Sequence, residues 1–94
     1  MVALGDELVR QCWKLLHEGQ AYRALTLAER ALRLYQPPAD SVLAGRLSLV
    51  VGVSLAALGQ DAPARRYLAD ASWSLAHARE EPPGAVNAVA IALE

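Results

Sequence analysis

Residues 12–31, CWKLLHEGQAYRALTLAERA, and residues 52–71, GVSLAALGQDAPARRYLADA, decide the fold of this 94-residue chain. Each reads as an apolar helix, a glycine turn and a second helix. Setting Gly19 on Gly59 also sets Cys12 on Gly52, Leu15 on Leu55, Ala24 on Ala64, Ala28 on Leu68 and Ala31 on Ala71, always at an offset of 40 residues. The two units end alike, on Gln36-Pro37-Pro38 and on Glu81-Pro82-Pro83-Gly84. Chance matches between alanine-rich segments are common, so the glycines and proline pairs weigh more. Glycine reaches the left-handed conformation that closes a helix, and a proline pair cannot continue one.

Outward from these stretches the pattern predicts five helices. The first runs from about Asp6, a candidate N-cap, to Glu18, with Leu8, Cys12, Leu15 and Leu16 on one face. The second runs from about Gln20 to Tyr35. Ala24, Leu25, Ala28, Ala31, Leu32 and Tyr35 form its apolar stripe, and Arg23, Glu29, Arg30 and Arg33 lie largely opposite. The third, from Asp40 or Ser41 to Leu58, is apolar nearly all round, which predicts burial on more than one side. The fourth runs from about Ala62 to Glu80, with Asp61 as its N-cap and Pro63 tolerated in the first turn. A short fifth, about Ala85–Leu93, has Asn87 as its only polar residue. The expected fold is all-α, a single domain of antiparallel helix pairs, with repeats over about 5–38 and 40–81 and a C-terminal helix within 84–93.

Composition supports this class. Apolar residues make up 54% of the chain, mostly Ala and Leu, with no Phe and one Ile. A domain of this length buries about two-thirds of the surface its unfolded chain exposes. The heavy apolar load therefore means either a well-filled core or apolar surface left for a partner or a second copy. Net charge is −1, so no overall field draws nucleic acid or anionic lipid. Cys12 is the only cysteine, which excludes an internal disulfide and a thiolate zinc site. No signal peptide is evident at the N-terminus. The longest apolar stretch, Leu47–Leu58, is broken by Ser48, Gly52 and Ser54 and is too short to span a bilayer. A cytoplasmic protein without a membrane span is expected. The terminal Leu93-Glu94 has the form of a vector-derived join, which would end the native sequence at or before Ala92.

The spacing of small residues, turn glycines and prolines resembles the tetratricopeptide repeat family. That motif reads Cys12, Gly19, Ala24, Ala31 and Pro37 in the first unit, and Gly52, Gly59, Ala64 and Ala71 with a late Pro82 in the second. The resemblance covers roughly residues 5–81. It departs in two respects: Leu8, Leu15, Ser48 and Leu55 stand near core positions the family fills with aromatics, and the 40-residue offset exceeds the family's 34. Two repeats are few for a solenoid, and the apolar fifth helix occupies the place of a polar cap. That helix is expected to be covered by further chain, by a partner or by a second copy.

The resemblance implies a protein or peptide partner held in a concave groove. By position the groove would comprise Asp6, Val9, Trp13 and His17 from the first helix and Arg46, Val50, Val53 and Ala57 from the third. One Arg among mostly apolar atoms suits an apolar helix or extended apolar segment rather than a terminal carboxylate. Trp13 has two readings, packed on the third helix or exposed as an aromatic anchor. Trp73 is expected against the fifth helix. His17 and His77 read as solvated last-turn histidines.

Chemistry is not expected. Cys12 and His17 lie five residues apart and diverge by about 140° on a helix, and a thiol in an apolar stripe stays protonated. No phosphate-binding glycine loop, serine elbow or metal-ligand spacing occurs, so neither catalysis nor a cofactor or metal is expected. Arg23, Arg30 and Arg33, joined by Arg65 and Arg66, form a basic strip interrupted by Glu29 and Asp70. It reads as a solvated convex face rather than a nucleic-acid site. The reading that results is an adaptor or small chaperone that self-associates or binds an apolar partner. The alternative is a repeat segment of a larger bacterial regulator relaying a signal to a DNA-binding domain.

Overall fold

The computed structural model describes residues 4–78, which form four α-helices and no strand. These are α1 (Leu4–His17), α2 (Ala21–Tyr35), α3 (Val42–Ala57) and α4 (Asp61–Ala76). The expected fifth helix, about 85–93, lies outside the described residues. Among the described residues no helix is long and apolar enough to cross a membrane.

The two turns are built alike, bond for bond. After α1, the Gly19 N–H donates to the Leu16 carbonyl at 3.1 Å and the Gln20 N–H to Leu15 at 2.8 Å. After α3, the Gly59 N–H donates to Ala56 at 3.0 Å and the Gln60 N–H to Leu55 at 2.8 Å. This is a Schellman closure, and it needs its C′ residue left-handed. Gly19 and Gly59 supply that at φ +76° and +80°. The 40-residue offset of the sequence is thus an offset of geometry.

The other boundaries follow from caps. The α2 helix closes on Gln36, itself left-handed at φ 43°, whose N–H reaches the Leu32 carbonyl before Pro37 ends the helix. Ser41 caps α3: its hydroxyl accepts from the Ala44 N–H at 3.1 Å and donates to the Pro38 carbonyl at 2.6 Å. A cap of this kind stabilises a helix by about 1 kcal/mol. Two expected caps are corrected. Helix α1 begins at Leu4, so Asp6 sits inside its first turn rather than at its N-cap. Asp61 is the first residue of α4 and Gln60 stands at the N-cap with no side-chain bond. Helix α4 also stops at Ala76, short of the expected Glu80, because His77 leaves helical geometry while its N–H still caps the Trp73 carbonyl.

Helix α3 is the axis of the packing. It touches α1, α2 and α4, whereas α4 touches α3 alone among the four. Nine of the sixteen α3 residues are buried, as an all-round apolar helix requires. The core joins Val9 and Cys12 of α1, Ala24, Ala28 and Ala31 of α2, and Leu47, Val50 and Val51 of α3. The alanine stripe of α2 lets helix axes approach within about 8–10 Å. The α3–α4 contact is as close: a Cβ added at Gly52 would stand 2.7 Å from Leu68 Cδ2 and 3.2 Å from the Leu68 backbone nitrogen. The two repeats reach this closeness differently. Where the first has Cys12 and Ala28, the second has Gly52 and Leu68, a smaller residue on one helix matched by a larger one on the other.

Candidate functional site

The seven residues expected to face a partner are divided by the structure. Val9 and Val50 are fully buried and belong to the core cluster. Arg46 is 1% exposed. For these three the expectation of an open groove is corrected: their side chains are enclosed in the packing of the helices. Trp13 is half-buried and packs on the core cluster, and Val53 is half-buried. His17 and Ala57 are exposed, both at the turn end of their helices.

Arg46 has a specific role. Its Nη1 donates to Asp6 Oδ1 at 3.2 Å, an ion pair between matching positions of the two repeats, 40 residues apart. Asp6 retains 21% exposure. The Nε and Nη2 atoms of Arg46 are buried without an acceptor among the described residues. Burial lowers the pKa of this guanidinium, opposed by the Asp6 carboxylate and reinforced by Arg10. The pair ties the first turn of α1 to α3.

The open surface lies at the turn end. A cleft of about 580 Å³ is lined by Leu16, Gly19, Gln20, Ala21, Tyr22, Arg23, Ala57 and Leu58. Of the residues expected at the site, only Ala57 lines it. Tyr22 (71% exposed) and Leu58 (40% exposed) give it apolar walls, and Arg23 is its one charged residue. The local reasons are plain. Tyr22 lies two residues before Ala24, about 160° round the helix from the buried stripe. Leu58 follows the last turn of α3, where neighbouring helices have ended. An apolar residue directly before a turn glycine is the signal that could have located the cleft. A smaller cleft, about 290 Å³, lies on α4 between Pro63, Arg66, Tyr67 and Asp70.

Cys12 is fully buried, and burial pushes its thiol from the ordinary 9.0 up to about 11. It is inert at neutral pH, and exposed His17 cannot serve it as a base. Trp73 is 49% exposed and stacks on His77 with ring centroids 4.4 Å apart; the fifth helix expected against it lies outside the described residues. The His77 Nδ1 lies 2.8 Å from the Trp73 carbonyl, to which it donates, adding a side-chain cap to α4. Among the described residues, no group of three or more His, Cys, Asp or Glu is placed to hold a metal ion.

No family model matches the chain, and neither a curated protein nor a solved structure matches it.

Proposed function

We propose that this chain is a protein–protein interaction module of two tetratricopeptide-like helix pairs, acting in the cytoplasm as an adaptor or small chaperone for an apolar helix or peptide. One observation carries the reading: the turn-end cleft, walled by exposed Tyr22 and Leu58 and open to solvent. Large apolar side chains left wet around a concavity cost free energy that a partner's apolar side chain recovers, at about 25 cal/mol per Å² covered. The like-built turns support the repeat reading, since both helix pairs close with the same backbone bonds. The docking surface is then the turn end of the helices rather than the α1–α3 strip, which the core occupies.

Selection of a displayed random-peptide library against the chain tests this. The expected enriched peptides carry Leu, Ile, Met or Phe at helical spacing, and Leu58→Glu abolishes their binding without changing helix content. Enriched peptides that ignore Leu58→Glu, or a selection that enriches nothing apolar, would overturn the reading.

A further inference from the structure

We infer that the partner segment is acidic as well as apolar, with its carboxylates laid along the outer face of α2. This rests on the turn-end cleft being the docking site. Arg23 forms part of the cleft wall and also begins a row of three arginines, with Arg30 and Arg33, on one face of α2. Seven residues are two helical turns, so Arg30 stands about 10 Å beyond Arg23, and Arg33 about 5 Å further. All three are exposed, and none has an ion pair or hydrogen bond among the described residues. Glu29, four residues before Arg33, is half-buried and does not pair with it. Glu18 is exposed on the turn beside the cleft. Leu34, 75% exposed, flanks the row at its far end. The face therefore runs from an apolar cleft, along unpaired positive charge, to another apolar side chain.

Charge decides the occupant. A second copy docked by a two-fold axis on this face would set one arginine row against another, a like-charge arrangement. The exposed carboxylates Glu7, in the first turn of α1, and Glu18, in the turn after it, have exposed Arg10 and Lys14 between them, so another copy offers no matching acidic row there. Nucleic acid would answer the arginines but leave Leu58 and Leu34 without apolar contact, and the chain as a whole carries −1. A helix with leucine-type anchors and carboxylates two turns apart answers the cleft and the arginine row together.

The test is fluorescence anisotropy of the full chain with two labelled synthetic helical peptides. Both carry leucines at alternating third and fourth positions. One has glutamate, the other glutamine, at three positions spaced two turns and then one turn apart beside the leucine stripe. At about 50 mM salt the glutamate peptide is expected to bind about tenfold more tightly, as three exposed pairs allow. The preference should collapse above about 0.5 M salt, where screening is nearly complete. It should vanish in the R23E/R30E/R33E variant, whose altered side chains are all exposed and whose circular dichroism should match the parent. Leu58→Glu should weaken both peptides. Equal binding of the two peptides overturns this inference and leaves the docking cleft standing. Failure of both peptides, or insensitivity to Leu58→Glu, overturns the cleft as well. Binding of a DNA duplex through the three arginines more tightly than the glutamate peptide, or a dimer in sedimentation that the triple variant dissolves, overturns the assigned partner.

Discussion

Replacing Asp6 by Ala should damage this protein more than replacing Arg46 by Met, although the same ion pair is lost in both. Asp6→Ala leaves a guanidinium that is 1% exposed, already has two orphaned nitrogens, and loses its one acceptor among the described residues. Breaking a buried pair from one side costs about 3–5 kcal/mol. Asp6 is 21% exposed, so its removal opens a route for water to Nη1. The expected loss is therefore lower, about 2–4 kcal/mol. Arg46→Met removes the charge and both orphans, keeps most of the apolar stem, and leaves an Asp6 that water can reach. Its cost should fall within about 1 kcal/mol of zero, of either sign. The double variant should resemble Arg46→Met, which makes the coupling about 2 kcal/mol or more. Urea unfolding reads these differences as midpoint shifts at constant slope. With a slope near 1 kcal/mol per M for a small domain, Asp6→Ala should lower the midpoint by about 2 M or more. Asp6 also lies in the first turn of α1, where a carboxylate gains about 0.5 kcal/mol from the helix dipole. Glu7→Ala, an exposed first-turn neighbour, measures that contribution alone. The reasoning is refuted if Asp6→Ala costs no more than Glu7→Ala, or if Arg46→Met costs more than Asp6→Ala.

Three further outcomes are expected. Gly52→Ala should destabilise by about 1–3 kcal/mol despite alanine's better helix propensity, because its Cβ would meet Leu68 Cδ2 at 2.7 Å and a backbone nitrogen at 3.2 Å. Adding Leu68→Ala should recover part of the loss seen in calorimetry, since the first repeat already has Ala at the matching position. The Cys12 thiol, raised to about 11, stays neutral in the fold while an unfolded thiol ionises near 9. Its contribution is complete below pH 9 and is lost as pH rises toward 11, about 2–3 kcal/mol by linkage; Cys12→Ala should flatten this segment of a stability-versus-pH curve. A disulfide reagent at pH 8 should label Cys12 only as fast as the chain unfolds. Trp13→Ala should lower stability by about 2–3 kcal/mol in urea titration because Trp13 packs on the core cluster, and unaltered stability would make it a surface residue.

Legibility followed the range of the forces involved. The turns were readable because Gly19 and Gly59 answer a local backbone demand, and the end of α2 because Pro37 cannot extend it. The burial of α3 was readable from its apolar surround. The candidate site was legible only at Ala57. Position along a helix told where Val9, Arg46 and Val50 point, but not that the packing of the helices encloses them. Tyr22 carries no such signal, because an aromatic off the stripe has no periodic signature.

The sequence by itself determined the four helices of the described residues, two glycine turns and their 40-residue repetition, because each depends on residues within a turn or two of one another. The tertiary structure alone decided that Asp6 is an ion-pair partner rather than a cap, that Val9 and Val50 are core, and that Leu16, Tyr22, Arg23, Ala57 and Leu58 share one cleft. The physical reason is that helical periodicity gives a side chain its direction, while its surroundings are set by whichever distant helix packs there.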